Sequence, residues 1–260
     1  MRTSTPSVAE VRSVVQPEGL LGRVSGEHWA GRLYVRRISP YATWLLLRTP
    51  LTPNGVTWLM LLSGVCAAAV LTLPGILPAL AAVLLIQLQI LFDCADGELA
   101  RWRQRYSPAG VYVDRLGHYL TESALPIALG VRADGGFDSL GGWTTLGLVV
   151  AVLVLLVKSE TTLIHVARAE AGLPLVEDVR HVAAPRHPGL RRARRVLGFV
   201  PFFRAFVAME FTLLALAAAV VDSIAGDLAG TRILLTVLVP VAALTAIGHL
   251  AAVLASSRLR

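Results

Sequence analysis

Long apolar stretches separated by short polar segments make up most of the chain. Four of these stretches contain no charged side chain: Gly55 to Ile76, Ile76 to Phe92, Leu140 to Val157 and Ile233 to Ile247. Because a bilayer core takes roughly 20 residues of helix, each stretch is long enough to cross it once its flanks are counted. Two further stretches, about Val111 to Val131 and Phe202 to Val221, carry isolated polar residues. The pattern therefore predicts six transmembrane spans.

The uninterrupted apolar character of these stretches indicates helices rather than strands. A strand of a membrane β-barrel alternates lipid-facing and lumen-facing residues over about ten positions, and the chain shows no such alternation. Composition agrees, since 55% of the 260 residues are hydrophobic, 16% are charged and the mean hydropathy is +0.65. A chain this apolar is not an ordinary soluble domain. We expect an all-α, polytopic membrane protein.

The net charge of +7 is compatible with nucleic-acid binding, but the distribution of the arginines argues against it. They are concentrated before the first span, in alternate connections and at the C-terminus: Arg23 to Arg48, Arg101 to Arg105, Arg168 to Arg195, and Arg258 to Arg260. The positive-inside rule places such segments in the cytoplasm. We therefore expect a multi-pass protein of the cell membrane, with both termini in the cytoplasm and no nucleic-acid partner.

The first 50 residues differ in character from the rest. Residues 1–22 are polar and lack a basic start followed directly by an apolar core, which predicts a flexible cytoplasmic tail without a cleavable signal peptide. Residues 23–50 mix aromatic, aliphatic and arginine side chains, as in an amphipathic helix that lies in the membrane interface. Pro40 is expected to divide that helix into two pieces. The segment either anchors the first span or binds substrate, and residues 51–260 form the six-span membrane domain.

Acidic residues directly follow the apolar part of span two in the sequence. Asp93 and Asp96 fall on the same helical arc as Gly97, Ala100 and Arg101, whereas Glu98 faces elsewhere. Carboxylates at this depth are costly and are usually functional or paired. The two small residues beside them leave room for a flat ligand or a close helix contact. The arc therefore predicts a binding site.

Span three brings a third carboxylate to the same level. Asp114 and His118 are one turn apart on one face, and the short connection makes spans two and three antiparallel neighbours. Three carboxylates repel one another unless a cation lies among them, and oxygen ligands favour Mg²⁺, Mn²⁺ or Ca²⁺. The alternative is that the aspartates pair with Arg101 and Arg115 at the span ends.

The spacing of this region resembles the signature of the CDP-alcohol phosphotransferases, D-x2-D-G-x2-A-R-x8-G-x3-D-x3-D. The positions that match are Asp93, Asp96, Gly97, Ala100, Arg101, Gly110 and Asp114. A TPNxxT-like stretch that often precedes the family's first span is matched by Thr52, Pro53, Asn54 and Thr57. The resemblance implies six spans, a site at the cytoplasmic side of spans two and three, and a homodimer in the membrane.

The resemblance also implies an activity and a set of roles. A hydroxyl of an acceptor attacks the phosphorus of a CDP-linked donor, expected to be CDP-diacylglycerol, and CMP leaves, as in phospholipid biosynthesis. Divalent metal, Mg²⁺ or Mn²⁺, would be held by Asp93, Asp96 and Asp114. The residues implied for nucleotide binding are Asn54, Thr57, Gly97, Ala100, Arg101 and Gly110.

His118 is the departure from the signature, because it stands where the family has its fourth aspartate. A neutral imidazole accepts a proton near neutral pH and ligates Mn²⁺ or another borderline metal, but it does not bridge two hard cations as a carboxylate does. Three interpretations follow. His118 is the catalytic base beside a reduced metal site, or the metal requirement has changed, or transfer activity is lost. In the last case the protein would bind CDP-lipid and scaffold or regulate a membrane partner.

Two basic residues suggest the acceptor. Lys158, the only lysine, lies within span four, and Arg204 begins span five. We expect them to bind an anionic group of the acceptor, such as an inositol or sugar phosphate. The alternative is that Lys158 pairs with Glu122 or Glu160, or extends towards the interface.

Overall fold

The structure of the protein, a computed structural model, describes residues 6–17, 29–174, 202–256 and 259. Over these residues every regular element is helical, which confirms the all-α fold class. The α-helices are α1 (Val8–Val15), α2 (Arg36–Leu46), α3 (Pro53–Leu71), α4 (Ile76–Arg103), α5 (Pro108–Asp134), α6 (Gly142–Glu170), α7 (Ala208–Ala225) and α8 (Ala229–Leu254). A π-helical turn, Gly31–Val35, and two 3₁₀ turns, Phe137–Ser139 and Phe202–Phe206, complete the elements.

Each of the six predicted spans corresponds to one long helix, α3 to α8. In the part of the chain that the structure describes, five helices are long and apolar enough to cross a membrane: α3, α4, α6, α7 and α8. Helix α5 has 27 residues, a sufficient length, but it carries Asp114, His118 and Glu122 and is not among those five. The polytopic architecture is confirmed, and the orientation of the termini stays a prediction.

The N-terminal stretch expected to be a flexible tail contains helix α1. Ser7 caps it, since its Oγ accepts from the Glu10 backbone N–H while the Glu10 carboxylate accepts from the Ser7 backbone N–H at 2.8 Å. This reciprocal capping box is a strong helix start. Val11 and Val15 are fully buried. Residues 1–5 and 18–22 of the predicted tail, and 23–28 of the interfacial segment, lie outside the described residues.

Pro40 does not divide the interfacial segment, because α2 continues through it. A proline within a helix lacks the N–H that would bond to the carbonyl four residues earlier, here that of Arg36. In this structure the Arg36 carbonyl accepts instead from Gln16 Nε2 at 2.8 Å. The sequence-based expectation of two pieces was wrong because a distant side chain compensates for the missing hydrogen bond.

The described residues of Met1–Ala67 and Leu84–Thr121 form one compact unit. Its core joins α2, α3 and α4 through four buried residues: Leu46, Val56, Ala95 and Leu99. At the end of α4 the Arg103 guanidinium donates to the carbonyls of Thr49 and Leu51 in the α2–α3 connection. These contacts fix the C-terminal part of α4, which carries the acidic motif.

The second unit comprises Ala68–Val83 and the described residues of Glu122–Arg260. Within it α6 and α7 both pack against α8. Arg132 is fully buried and donates to the carbonyls of Leu73 and Gly75 at 2.7 and 3.1 Å. Its Nη2 lies 3.6 Å from Asp222 Oδ2, and the other oxygen of that carboxylate, Oδ1, accepts from the Thr231 N–H. One guanidinium thus connects four segments of this unit.

Replacing Arg132 by Met should lower the free energy of unfolding by about 3–5 kcal/mol, because the Asp222 carboxylate would stay buried without its cation. Thermal unfolding of the purified protein in detergent measures this effect. The double variant Arg132→Met/Asp222→Asn keeps the acceptor for Thr231 but removes the orphaned charge, and should recover part of the loss. Purely additive losses in the double variant would contradict the proposed coupling.

Candidate functional site

Three of the predicted site residues meet where the C-terminal part of α4 faces the start of α5. His118 Nε2 lies 3.2 Å from Asp93 Oδ1 and 3.5 Å from Asp114 Oδ1. One ligand atom from each residue lies within 4.8 Å of the other two. All three side chains are about one-third exposed, so ligands can reach them. Two oxygens and one nitrogen at this spacing suit a divalent cation.

Asp96 faces a different partner. Its Oδ2 accepts a hydrogen bond of 2.7 Å from Thr57 Oγ1 on α3. Asp96 is not a member of the group of three, although it shares a helix arc with Asp93. The hydroxyl of the TPNxxT-like stretch therefore binds the acidic motif directly. This contact gives the matching threonine a physical role.

The same stretch also reaches the start of α5. A Cβ atom placed on Gly110 would lie only 2.6 Å from Asn54 Oδ1. A side chain at position 110 would therefore displace the Asn54 amide. The signature glycine is explained by this close approach.

Of the residues implied for nucleotide binding, Gly97 and Arg101 lie against each other. The guanidinium of Arg101 folds over Gly97, whose notional Cβ would be 3.4 Å from Arg101 Nη1. Arg101 Nε donates to the Val15 carbonyl at the end of α1, at 2.7 Å. Ala100 is half-buried. The space above Gly97 is thus filled by an arginine whose orientation is set by the N-terminal helix.

Comparison with known proteins identifies relatives of the chain. The sequence model of the family described as CDP-alcohol phosphatidyltransferase matches residues 50–255, well over half of the chain. The chain belongs to the CDP-alcohol phosphatidyltransferase family. It is also 37% identical over 99 residues to an archaetidylinositol phosphate synthase of Aeropyrum pernix, a match that covers 36% of this chain and 50% of that relative. The chain thus spans half the length of this curated relative.

Family membership confirms the resemblance drawn from the signature. A divalent metal belongs to the chemistry of this family, and the donor set fits one. Asp114 Oδ1 is buried, and over the described residues no hydrogen bond reaches it. Its contact with His118 Nε2, at 3.5 Å, is longer than an ordinary N–H···O bond.

Glu98 is the neighbour of the signature residues whose role sequence reasoning missed. It is fully buried and accepts from Ser39 Oγ at 2.6 Å, Thr43 Oγ1 at 2.7 Å and Gln16 Nε2 at 2.8 Å. The helical arc placed it away from the other carboxylates, and it does face α1 and α2. The spacing of the two hydroxyl residues, four apart on α2, is the signal that could have indicated a polar partner.

The two residues predicted to bind the acceptor lie in the second unit. Lys158 Nζ is 2.9 Å from Glu122 Oε2, the pairing foreseen as the alternative. Glu160, the other partner considered, lies 2.7 Å from His249 Nδ1. Arg204 lies on the 3₁₀ turn before α7 and is exposed.

Replacing Thr57 by Val should lower the free energy of unfolding by about 1.5–3 kcal/mol, because the Asp96 carboxylate would lose a hydrogen bond to a charged acceptor. Thr57→Ser retains the hydroxyl and should recover most of the loss. Chemical unfolding followed by tryptophan fluorescence compares the two variants. Equal stabilities of the Thr57→Val variant and the wild-type protein would show that this contact contributes nothing.

Proposed function

We propose that the protein transfers a phosphatidyl or related phospho-alcohol group from a CDP-linked lipid, in the first instance CDP-diacylglycerol, to an acceptor hydroxyl. The observation that carries the proposal is the meeting of Asp93, Asp114 and His118 in a family signature, with Asp96 one turn away. The donor set supports a bound cation, Mg²⁺ or Mn²⁺, which Asp93, Asp96 and Asp114 would hold. When bound, it neutralises the diphosphate and stabilises the charge of the transition state.

The reaction exchanges one phosphorus–oxygen bond for another. The acceptor oxygen forms a bond to the lipid-bearing phosphorus, the bond from that phosphorus to the CMP oxygen breaks, and CMP leaves with the electron pair. The hydroxyl proton must pass to a base. His118 is suited to accept it at Nδ1, because an Nε2–H that donates to Asp93 Oδ1 leaves the lone pair on Nδ1. Asp93 would then stabilise the imidazolium.

The same geometry supports one alternative for His118. If Nε2 carries the lone pair instead, the imidazole becomes a third ligand beside Asp93 and Asp114. The metal preference would then differ from that of an all-carboxylate site. The role of base requires the lone pair on Nδ1, and the role of ligand requires it on Nε2. Substitution of His118 distinguishes the two roles.

An inositol phosphate or another sugar phosphate is the proposed acceptor. The name of the Aeropyrum pernix relative, an archaetidylinositol phosphate synthase, supports this class. Lys158 and Arg204 are the cations proposed to bind the acceptor phosphate. Because Lys158 is paired with Glu122, it would have to exchange that carboxylate for the phosphate. A homodimer in the cell membrane, with both termini cytoplasmic, completes the proposal.

A second candidate is a catalytically weak member that binds CDP-lipid and scaffolds or regulates a membrane partner. The departure from the signature at His118 favours it, because one carboxylate of the family's set is missing.

Purified protein given CDP-diacylglycerol, Mg²⁺ or Mn²⁺ and a panel of phosphorylated and plain polyols should release CMP with at least one acceptor. Asp93→Asn should abolish release, since it removes a carboxylate from the site. Asp138→Asn is the matched control, because Asp138 is an exposed carboxylate on the 3₁₀ turn Phe137–Ser139. Nucleotide binding without CMP release for any acceptor would favour the scaffold over the enzyme.

Replacing His118 by Ala separates a base from a metal ligand. Loss of the base should lower kcat at least about a hundredfold and leave the half-saturating Mn²⁺ concentration unchanged. Loss of a ligand should raise that concentration by about tenfold or more. Steady-state rates measured across a Mn²⁺ titration give both quantities. An unchanged kcat together with an unchanged Mn²⁺ requirement would remove His118 from the mechanism.

A further inference from the structure

The N-terminal helix contacts the motif-bearing helix at two places one turn apart. Gln16 Nε2 donates to Glu98 Oε1 at 2.8 Å, and Arg101 Nε donates to the Val15 carbonyl at 2.7 Å. Both contacts involve the last residue of α1 and its C-cap. A helix of only 8 residues would be marginal in water on its own, so these contacts are part of what holds it.

One acceptor on α2 is available to α1 because of Pro40. The proline leaves the Arg36 carbonyl without its helical partner, and Gln16 Nε2 donates to that carbonyl as well as to Glu98. Arg12 Nη2 reaches the neighbouring carbonyl of Arg37 at 3.1 Å. The break in the α2 hydrogen-bond ladder is therefore a docking position for the N-terminal helix.

Glu98 is the centre of this arrangement. Its carboxylate is completely buried, and hydroxyl or amide groups donate to it from α2 and from the C-cap of α1. Arg36 Nη1 lies 3.7 Å from Glu98 Oε1. A buried carboxylate with such a set of partners holds them in a fixed geometry, because release of any one would leave charge unsatisfied.

Two guanidinium groups are thereby held beside the reaction site. Arg101 shares a helical arc with Asp96 and its Nη1 lies over Gly97, and Arg36 reaches the same part of α4 through Glu98. Arg36 is oriented by Glu98, and Arg101 by the Val15 carbonyl. Guanidinium groups bind phosphate oxygens with directional, charge-assisted hydrogen bonds. With Nε bound to the Val15 carbonyl, Arg101 Nη1 lies over Gly97, 3.4 Å from where a Cβ on that glycine would stand.

We propose that Glu98 and helix α1 are positioning elements of the donor site, which hold the guanidinium groups of Arg36 and Arg101 for the diphosphate of the CDP-linked donor. This inference rests on the proposed function, since it takes the donor to be a cytidine diphosphate ester. It gives the N-terminal helix a part in substrate recognition, through orientation of two arginines rather than through contact with the donor.

The experiment compares binding of CDP and CMP to the full-length protein in detergent with Mn²⁺, by isothermal titration calorimetry. Gln16→Ala removes the side chain that joins α1 to Glu98, and Glu98→Gln removes the buried charge at nearly constant volume. Ser13→Ala is the matched control, because the Ser13 hydroxyl is on α1 and donates within that helix, to the Glu10 carbonyl. Initial rates with CDP-diacylglycerol supply the KM for the donor and the KM for the acceptor.

Gln16→Ala and Glu98→Gln should weaken CDP binding about tenfold, the effect of one charge-assisted hydrogen bond, and should change CMP binding less than about twofold. The donor KM should rise while the acceptor KM stays constant. An unchanged preference for CDP over CMP in Gln16→Ala, even with a lower melting temperature, would show a purely structural role and overturn the inference. If wild-type protein bound neither nucleotide, the proposed function itself would be contradicted. If the wild-type protein and the variants bound both nucleotides equally well, only the positioning role would be contradicted.

Discussion

A carboxylate placed in an apolar helix must be neutralised or hydrogen-bonded, since the surroundings offer it little water. In this protein the buried acids meet that requirement in different ways. Glu98 accepts hydrogen bonds from two hydroxyls and an amide, Glu160 lies 2.7 Å from His249, and Asp222 faces the buried Arg132. Each of these acids takes its partners from a different helix or segment. The need to satisfy charge in lipid therefore also determines which segments are held together.

Asp114, in the candidate site, differs from these acids. Its buried oxygen receives no hydrogen bond in the part of the chain that the structure describes. Asp93 shares His118 with it, and Asp96 is satisfied by Thr57. A carboxylate oxygen without a hydrogen-bond donor, beside a second carboxylate, is suited to a bound cation. The scaffold thus satisfies its structural acids with protein partners, whereas an oxygen of the candidate site has no hydrogen bond from the described residues.

Much of this organisation could be predicted from the sequence, because it follows from local periodicity. Apolar runs of the length of a bilayer predicted the six long helices, and residue spacing brought Asp93, Asp114 and His118 together. What could not be predicted depends on partners far apart in the chain. Nothing local indicates that Gln16 replaces the hydrogen bond lost at Pro40.

The same limit applies to individual charged residues. Glu98 was predicted to face away from the arc of Asp93 and Asp96, but periodicity does not reveal that the facing surface carries Ser39 and Thr43. For Lys158 the sequence left two partners open, a ligand or a carboxylate of the protein, and the structure pairs it with Glu122. A charge within a span indicates that a partner exists. Only the tertiary arrangement identifies whether that partner is protein or substrate.

Direct observation of a cation among Asp93, Asp114 and His118 provides the most decisive measurement. Electron paramagnetic resonance of Mn²⁺ added to the purified protein counts bound ions without requiring turnover. Wild-type protein should bind Mn²⁺, Asp114→Asn should bind it at least about tenfold more weakly, and Asp138→Asn should match wild type. Equal Mn²⁺ binding by wild-type and Asp114→Asn protein would contradict a metal site built on these three residues.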